Sequence, residues 1–335
     1  MSHAIAINGF GRIGRGVLRA MIENEVTDLE VVAINDLSSP ETLAHLLKYD
    51  SVHGRLKADV SVKGDALVVN GREIAVTAIR NPAELPWDGI DVAMECTGFF
   101  TARDKAAEHL KNGSKRVLIS APGAGADRTI VFGVNDKEMT KDDIVISNAS
   151  CTTNCLAPVA YVLDKAFGIK TGYMTTVHAY TGDQPSHDAP HKDLYRGRAA
   201  AVSMVPTSTG AAKAISLVLP HLEGKLEGSA IRVPTPNVSL VDLTCITEKP
   251  ATADAINAAM KEAAEGELKG VLSYETDPTV SIDYNHDAHS SSFAAPQTSV
   301  TKDGLVRIVS WYDNEWGFAN RMIDTGRKLA ALSKT

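Results

Sequence analysis

A glycine-rich turn near the amino end of the chain is the feature that most constrains the fold. An apolar run at residues 4–7 leads directly into Asn-Gly-Phe-Gly-Arg-Ile-Gly, so that Gly9, Gly11 and Gly14 form a G-x-G-x-x-G pattern. Apolar residues between 17 and 22 then recur at helical spacing. A strand, this turn and a helix predict a dinucleotide-binding βαβ unit. In such a unit the glycines let a pyrophosphate approach the backbone, and the helix N-terminus attracts it.

An acidic residue stands at the expected distance from that turn. A second apolar run at 29–34 ends in Asn35-Asp36, about 20 residues beyond Gly14, where a carboxylate can accept hydrogen bonds from the adenosine ribose hydroxyls. The alternative is an ordinary turn or N-cap residue before the helix predicted near 40–47. Strand, turn, helix and spaced Asp together favour an NAD site.

A cysteine stands where another helix is predicted to begin. Residues 144–146 predict a buried strand, and apolar residues between 156 and 167 recur at helical spacing, which places Cys151 near the free N–H groups of the first turn. That position favours a thiolate, which can attack a carbonyl carbon while the same N–H groups stabilise the oxyanion. A buried structural cysteine is the alternative. Pro158 predicts a kink or a displaced first turn.

Composition indicates a globular enzyme. The chain has 335 residues, 22% of them charged and 44% hydrophobic, which argues against disorder, and its net charge of −7 gives no general attraction to nucleic acid or anionic membrane. No apolar run approaches the roughly 18 residues that span a bilayer. Four cysteines are too few for a disulfide scaffold, and Cys151 and Cys155 lack the partners of a zinc site. We therefore expect a cytoplasmic protein without a metal or a targeting peptide.

Two patterns divide the chain. Strands and helices alternate over 1–150, which predicts a doubly wound, mostly parallel α/β sheet of Rossmann type, with a hairpin insertion that turns at Asn70-Gly71. From 151 onward longer strands predict an α+β catalytic domain with a largely antiparallel sheet, and the polar segment 180–202 predicts a functional or interfacial loop. The C-terminal stretch predicts an amphipathic helix. We expect residues 1–150 and 315–335 to form the NAD-binding domain and 151–314 the catalytic domain.

Several motifs resemble one enzyme family from end to end. They are Asn8-Gly-Phe-Gly-Arg-Ile-Gly-Arg15, Ser147-Asn-Ala-Ser-Cys-Thr-Thr-Asn-Cys155, His178-Ala-Tyr-Thr181, Thr207-Ser-Thr-Gly-Ala-Ala-Lys213, Arg232-Val-Pro-Thr-Pro-Asn-Val238 and Trp311-Tyr-Asp-Asn-Glu-Trp-Gly317. With them the chain resembles the phosphorylating glyceraldehyde-3-phosphate dehydrogenases of bacterial type. The resemblance implies a homotetramer that uses NAD, glyceraldehyde 3-phosphate and inorganic phosphate.

The resemblance also implies roles for particular residues. Cys151 is the implied nucleophile that forms a thiohemiacetal and then a thioester, and His178 is the implied base. The site for inorganic phosphate is implied at Ser150, Thr152, Thr209 and Gly210, and the site for the substrate's own phosphate at Thr181, Asp183, Arg196 and Arg232. Cofactor contacts are implied at Gly9, Gly11, Arg12, Ile13, Gly14, Asp36, Arg80, Ser120 and Asn314. The family often has two consecutive Arg residues where this chain has Tyr195-Arg196.

Two other functions stay open at this point. Residues 283–289 and 314–322 are similar to erythrose-4-phosphate dehydrogenase, although that enzyme tends to lack the Ser208-Thr-Gly210 sequence and to carry Glu in place of Asp36. A non-catalytic binding role, for example with RNA, is the second alternative, and salt-sensitive nucleic-acid binding would distinguish it. Because the net charge of the chain is negative, we do not expect a nucleic-acid partner.

Overall fold

The computed structural model describes residues 2–333 and divides the chain into two units. The first unit comprises the residues up to 130, then 136–149, and those from 319 onward; the second comprises 131–135 and 150–318. Each unit is built around its own sheet.

The strands of the first unit alternate with its helices along the chain. They are β1 (His3–Asn8), β2 (Leu29–Asn35), β3 (Tyr49–Asp50), β4 (Gly54–Arg55), β5 (Val60–Lys63), β6 (Ala66–Val69), β7 (Arg72–Thr77), β8 (Val92–Glu95), β9 (Val117–Ile119), β10 (Arg128–Thr129) and β11 (Val145–Ser147). The main sheet has the order β10-β11-β9-β8-β1-β2-β7-β6-β5, and β3 pairs with β4 separately. From β10 to β7 all neighbours pair in parallel.

This topology confirms the predicted dinucleotide-binding fold and places its ligand edge. The strand order runs outward from β1 in both directions, so the carboxyl end of β1 is the switch point at which open α/β sheets bind ligands. The sheet is apolar on both faces; Ile5, Ile7, Ile34 and Val92 are fully buried. The predicted hairpin is also present, since β6 and β7 pair antiparallel on either side of Asn70-Gly71.

The strands of the second unit are longer. They are β12 (Ile169–Ala179), β13 (Val205–Ser208), β14 (Leu226–Val233), β15 (Ser239–Thr247), β16 (Leu272–Glu275), β17 (Ser291–Ala294), β18 (Ser299–Val300) and β19 (Leu305–Tyr312). The sheet has the order β13-β14-β12-β15-β19-β17-β16, with β18 on β19. The pairs β12–β14 and β16–β17 are parallel and the others antiparallel, which confirms the largely antiparallel sheet.

The helices follow the predicted pattern with two differences. They are α1 (Arg12–Glu23), α2 (Pro40–Lys48), α3 (Arg103–Ala106), α4 (Cys151–Phe167), α5 (Ala211–Ala214), α6 (Ala253–Glu265) and α7 (Trp316–Ala331). Short 3₁₀ turns lie at Pro82–Glu84, Ala107–Asn112, Asp136–Glu138, Ile215–Leu217, Pro220–Leu222, Ser281–Tyr284 and Ala295–Gln297.

The sequence also predicts helices at 101–111 and at 208–218, and the structure differs from both predictions. The first is α3 continued by a 3₁₀ turn, and the second begins only at Ala211, because Ser208 is the last residue of β13 and pairs with β14. Pro158 does not end α4, which is continuous from Cys151 to Phe167. The segment between Ala179 and Val205 has neither helix nor strand, as its composition predicts.

Three further observations concern membrane-spanning helices, metal sites and the cysteines. Within residues 2–333 no helix is both long and apolar enough to cross a membrane. In the same part of the chain no group of three His, Cys, Asp or Glu side chains is arranged to hold a metal ion. All four cysteines are free thiols.

Candidate active site

The start of α4 is fixed by a cap. Ser150 has extended backbone angles (φ −107°, ψ 163°), and its Oγ accepts a hydrogen bond from the Thr153 N–H at 3.1 Å. A serine at this position satisfies one of the free N–H groups of the first turn. Cys151 is therefore the first helical residue, where the remaining N–H groups and the helix dipole favour negative charge.

The end of β12 brings a histidine to this cysteine. His178 Nε2 lies 3.5 Å from Cys151 Sγ, and the imidazole is almost completely buried. Its Nδ1 lies 2.7 Å from the Ala179 carbonyl oxygen, which only accepts hydrogen bonds. Nδ1 therefore carries the proton in the neutral ring, and Nε2 presents its lone pair to the thiol. This is the geometry of a base beside a nucleophile.

Burial acts against a charge on either member of the pair. It raises the pKa of the Cys151 thiol, although the Arg232 guanidinium and hydrogen bonds from the N–H and hydroxyl of Thr152 oppose the change. Burial likewise lowers the pKa of His178 to about 3, assisted by the positive charge of Arg232. The helix N-terminus acts in the opposite direction and favours a thiolate, as the sequence predicts. From the neutral pair, a proton transfer from Sγ to Nε2 creates both charges together.

Four of the predicted anion-binding residues form one network beside the pair. Arg232 is the parallel partner of His178 in the β12–β14 ladder, and its Nη1 donates to Thr181 Oγ1 at 2.8 Å. The Thr181 hydroxyl donates to Asp183, and Arg196 Nη1 donates to Asp183 Oδ2 at 3.2 Å. Two guanidinium groups thus converge on one short stretch of the loop after β12. Such an arrangement suits a phosphate group.

The other predicted phosphate residues lie at the starts of two helices that contact each other. Ser150 and Thr152 begin α4, while Thr209 and Gly210 precede α5, and α4 packs on α5. Thr209 Oγ1 accepts a hydrogen bond from the Ala211 N–H at 3.2 Å, and a side chain added at Gly210 would meet open space. Within residues 2–333 no hydrogen bond joins Ser150 or Thr152 to Thr209 or Gly210.

Four of the predicted dinucleotide residues line a cavity of about 610 Å³ in the first unit. Gly9, Gly11, Asp36 and Arg80 line it, together with side chains that follow β1, β2 and β8. Gly9 has a φ of +88°, and a Cβ there would lie 2.7 Å from the Thr97 nitrogen. A Cβ on Gly14 would lie 2.2 Å from the Gly9 carbonyl oxygen. Glycine is therefore required at both positions for the turn to form.

This cavity fits a dinucleotide. Asp36 Oδ2 accepts a hydrogen bond from the Phe10 N–H at 2.9 Å, which places a carboxylate at the rim of the glycine-rich turn while leaving it further acceptor capacity. The cavity opens at the carboxyl edge of the parallel sheet, and Gly11 leaves room for backbone approach. Ribose hydroxyls and a pyrophosphate are the groups that match these donors and acceptors.

Five predicted cofactor residues do not line the cavity: Arg12, Ile13, Gly14, Ser120 and Asn314. The Arg12 guanidinium binds Asp50, with Nη2 donating to Oδ1 at 3.2 Å. Ser120 directly follows β9, and its N–H donates to the Glu95 carbonyl oxygen at 3.0 Å. Asn314 belongs to the second unit, where its Oδ1 accepts a hydrogen bond from Ser239 Oγ at 2.8 Å.

The sequence alone missed some lining residues. Cys96, Thr97 and Phe99 line the dinucleotide cavity, and Phe99 is 86% exposed. They directly follow β8, the neighbour of β1, so the rule that ligands bind at the carboxyl ends of strands would have identified them. The Tyr312 hydroxyl, which lies 2.8 Å from Thr152 Oγ1 and 2.9 Å from Thr176 Oγ1, carried no comparable signal.

The fold and the two sites define a class of protein. One unit has a parallel sheet with a dinucleotide cavity, and the other has a cysteine–histidine pair beside two arginines. These are the parts of a dinucleotide-dependent dehydrogenase.

Comparison with known proteins gives the family. Residues 3–103 match the glyceraldehyde 3-phosphate dehydrogenase NAD binding domain, and residues 150–314 match the C-terminal domain of the same enzyme. Glyceraldehyde-3-phosphate dehydrogenase of Cereibacter sphaeroides is 63% identical over 99% of this chain and 100% of its own. The enzymes of Xanthobacter flavus and Geobacillus stearothermophilus are 60% and 58% identical over 99% of this chain, and over 100% and 99% of their own. The chain belongs to the glyceraldehyde-3-phosphate dehydrogenase family, and its N-terminal part is an NAD-binding domain.

Proposed function

We propose that the protein oxidises D-glyceraldehyde 3-phosphate to 1,3-bisphosphoglycerate with NAD and inorganic phosphate, through a thioester on Cys151. It is an NAD-dependent oxidoreductase by family, and the relatives at 57–63% identity bear the name of that activity. The observation that carries the covalent mechanism is the 3.5 Å approach of His178 Nε2 to Cys151 Sγ at the first turn of α4.

The first half of the reaction follows from that geometry. As Sγ attacks the aldehyde carbon, the thiol proton passes to His178 Nε2 and a C–S bond forms, while N–H groups of the α4 first turn stabilise the developing oxyanion. The proton on Nε2 passes to that oxyanion to give the thiohemiacetal hydroxyl, and Nε2 takes the proton back as the carbon loses a hydride and the C=O bond forms. Bound NAD supplies the hydride acceptor. The product on the protein is a thioester, which keeps the energy needed for acyl transfer.

The second half uses the anion sites. The substrate's phosphate binds at Arg232, Arg196 and Thr181, which fixes the carbonyl at Sγ. Inorganic phosphate binds near Ser150, Thr152, Thr209 and Gly210, attacks the thioester carbon and releases the acyl phosphate as Sγ leaves. Because the donors there include hydroxyls and helix-start N–H groups, the site suits an oxyanion rather than water.

The cofactor would be held in the first unit by the residues around the cavity. Gly9, Gly11 and the backbone of Arg12 and Ile13 would receive the pyrophosphate, and Asp36 the adenosine ribose. The amide nitrogen of Asn314 is oriented by Ser239 to donate to the carboxamide of the nicotinamide. We assign the cofactor role to residues 1–150 and 315–335 and the catalytic role to 151–314.

The assembly and location are also proposals. Leu194, Val202 and Met204, in the long segment between β12 and β13, are 85%, 77% and 73% exposed. Large apolar side chains so exposed favour contact with another copy of the chain, which supports a homotetramer. Free thiols at all four cysteines support a reducing, cytoplasmic location.

Erythrose-4-phosphate dehydrogenase is not favoured. The relatives are named glyceraldehyde-3-phosphate dehydrogenase, and the chain has the Ser208-Thr-Gly210 sequence and Asp36 that the alternative tends to lack. A comparison of the two aldehydes decides the substrate.

The experiment measures NADH formation from each aldehyde with and without inorganic phosphate, in the unmodified protein and in two matched cysteine variants. Turnover on glyceraldehyde 3-phosphate should require phosphate, should vanish in Cys151→Ser, and should persist in Cys155→Ser. Cys155 is buried one turn further along α4, and burial raises the pKa of its thiol to about 12, so it is inert. Faster turnover of erythrose 4-phosphate without phosphate would contradict the substrate, and an active Cys151→Ser would contradict the mechanism.

A further inference from the structure

A buried carboxyl group and a buried imidazole form a pair behind the dinucleotide cavity of the first unit. Glu95 is the last residue of β8, His109 lies in the 3₁₀ turn after α3, and both side chains are almost fully buried. His109 Nε2 lies 3.0 Å from Glu95 Oε2, and the His109 ring stacks on Trp87 with centroids 5.4 Å apart. Neither member of the pair lines the cavity. Because a buried carboxyl group is costly unless hydrogen bonds compensate it, its partners indicate what it does.

Glu95 accepts hydrogen bonds at both of its oxygens. Oε1 accepts from the Thr97 N–H at 2.8 Å and from the Thr97 hydroxyl, and Oε2 accepts from Asn8 Nδ2 at 2.6 Å. The Thr97 hydroxyl itself accepts from the Phe99 N–H at 3.0 Å, so its own hydrogen is directed at Glu95. Asn8, Thr97 and Phe99 all line the cavity. Glu95 therefore holds lining residues at the carboxyl ends of two neighbouring strands, β1 and β8.

Backbone groups fix the orientation of the Asn8 amide. The Ile79 N–H donates to Asn35 Oδ1 at 2.9 Å, and Asn35 Nδ2 donates to the Ile79 carbonyl oxygen at 2.8 Å. Asn35 Nδ2 also donates to Asn8 Oδ1 at 2.8 Å, which turns Asn8 Nδ2 toward Glu95. Because a backbone N–H only donates and a carbonyl oxygen only accepts, each of these directions is determined. Asn35 and Ile79 line the cavity as well.

The direction of the bond between His109 and Glu95 follows from the other ring nitrogen. If Glu95 held a hydrogen at this contact, the ring hydrogen would stand at His109 Nδ1, which is buried and has no hydrogen-bond partner within residues 2–333. A buried N–H without an acceptor is costly. Nε2 therefore carries a hydrogen and donates it to the Glu95 carboxylate. Asn8 Nδ2 lies 3.5 Å from the same ring nitrogen, so the two donors meet at Oε2.

An amide of the same shape cannot replace this carboxylate. Oε1 faces the Thr97 N–H and Oε2 faces the Asn8 amide hydrogens, and both of these groups donate. A glutamine at position 95 would place its own NH₂ group against one of these donors in either orientation. One of the two contacts would be lost, and a buried N–H would be left without an acceptor.

We propose that Glu95 and His109 are positioning residues for the dinucleotide, which hold Asn8 and Thr97 in the geometry that the bound cofactor needs. Thr97 also supports the glycine-rich turn, because a Cβ at Gly9 would lie 2.7 Å from the Thr97 nitrogen. Lining residues that are fixed before the ligand arrives lower the ordering cost of binding. The inference rests on the proposed function, since it takes NAD as the occupant of this cavity.

The test is isothermal titration of NAD into the unmodified protein and into Glu95→Gln. The variant should raise the Kd for NAD by about tenfold to a hundredfold, the effect of one buried donor left unpaired. In steady-state assays its KM for NAD should rise more than its KM for glyceraldehyde 3-phosphate, because the residues for that substrate belong to the second unit. An unchanged Kd for NAD in folded Glu95→Gln would overturn the proposal.

Asp91→Asn is the matched control. Asp91 directly precedes β8, at the opposite end of the strand from Glu95, and its carboxylate accepts from the Ala4 N–H at 3.0 Å and from Lys115 Nζ at 2.7 Å. Asp91→Asn should lower the melting temperature and leave the Kd for NAD unchanged. An equal rise in Kd in Asp91→Asn and Glu95→Gln would show that the stability of β8 governs binding, and would overturn the proposal.

Two variants of His109 separate the hydrogen bond from packing, and they decide the matter if Glu95→Gln does not fold. His109→Gln keeps an N–H donor for Glu95 and loses the stack on Trp87, whereas His109→Phe keeps an aromatic ring and loses the donor. The Kd for NAD should be higher in His109→Phe than in His109→Gln. An equal Kd in the two variants, or a higher one in His109→Gln, would overturn the role of the pair.

The outcomes separate this inference from the proposed function. Absence of NAD binding by the unmodified protein would refute the cofactor site, and the role of Glu95 and His109 with it. NAD binding without turnover of glyceraldehyde 3-phosphate would refute the proposed reaction, while a weaker Kd in Glu95→Gln alone would still support the positioning role. Normal turnover with the same Kd for NAD in all four variants would refute the positioning role alone.

Discussion

Replacing the base gives the sharpest test of the paired site. His178 places Nε2 at 3.5 Å from Cys151 Sγ and holds it there through the bond from Nδ1 to the Ala179 carbonyl. His178→Asn removes the proton acceptor from both steps of the first half-reaction. Loss of a positioned base costs roughly 100- to 10,000-fold in turnover. That range corresponds to about 3 to 5.5 kcal/mol in the barrier.

The pH dependence of Cys151 alkylation gives an independent test of the His178→Asn variant. Because burial lowers the pKa of His178 to about 3, its Nε2 is unprotonated near neutral pH and remains available as a base well below the usual imidazole range. In the unmodified protein Cys151 ionises by giving its proton to this nitrogen. Without it, the thiol must lose its proton to water in a buried site that disfavours the charge. Alkylation of Cys151 should therefore require higher pH in His178→Asn.

The assay combines steady-state turnover on glyceraldehyde 3-phosphate with the alkylation rate across pH. His221→Asn is the matched control, since this histidine is 58% exposed and pairs with Asp164 away from the thiol. The control should retain turnover. An unchanged alkylation profile in His178→Asn would show that the two side chains are not coupled and would refute the reasoning.

Three further predictions concern phosphate, coenzyme and stability. Thr209→Ala should raise the inorganic phosphate concentration needed for half-maximal turnover, and an unchanged requirement would contradict the assigned site. The protein should prefer NAD to NADP because Asp36 repels a 2′-phosphate. Asp36→Ala should lower the ratio of kcat/KM with NAD to kcat/KM with NADP by roughly tenfold, or about 1.4 kcal/mol. Arg12→Met should lower the free energy of unfolding by about 1–3 kcal/mol at neutral pH. Burial opposes ionisation of Asp50, but Arg12 and nearby N–H groups hold the pKa of that carboxyl below its usual value. The Arg12–Asp50 ion pair therefore stabilises the fold above about pH 4, and this stabilisation is lost as pH falls below that value. The melting temperatures of Arg12→Met and the unmodified protein should therefore differ at neutral pH and converge at acid pH. The same difference in melting temperature at both pH values would contradict the pairing.

Features set by nearby residues were predictable from the sequence. The glycine-rich turn, the Ser150 cap and the alternation of strands and helices depend on contacts within a few residues, and the structure has all three. The start of α5 was not predictable in this way. Ser208-Thr209-Gly210 looks locally like a helix start, but pairing of β13 with β14 keeps Ser208 in a strand.

Features that depend on burial or on distant residues could not be predicted. The helix position of Cys151 indicates a thiolate, whereas the surrounding fold raises the pKa of the thiol. The contact between Thr152 and Tyr312 joins residues 160 positions apart, and nothing near either residue in the sequence points to it. The tie between Arg12 and Asp50 was missed for the same reason, because 38 positions separate them.

The most direct test of the account is to follow a single turnover without inorganic phosphate. Mixed with NAD and glyceraldehyde 3-phosphate alone, the protein should release about one NADH per active site and then stop, because the thioester has no acyl acceptor. Quenched samples should carry a 3-phosphoglyceroyl group on the peptide that contains Cys151, and added phosphate should release it as 1,3-bisphosphoglycerate. Continuous NADH formation without phosphate, or an acyl group found on any residue other than Cys151, would contradict the central claim.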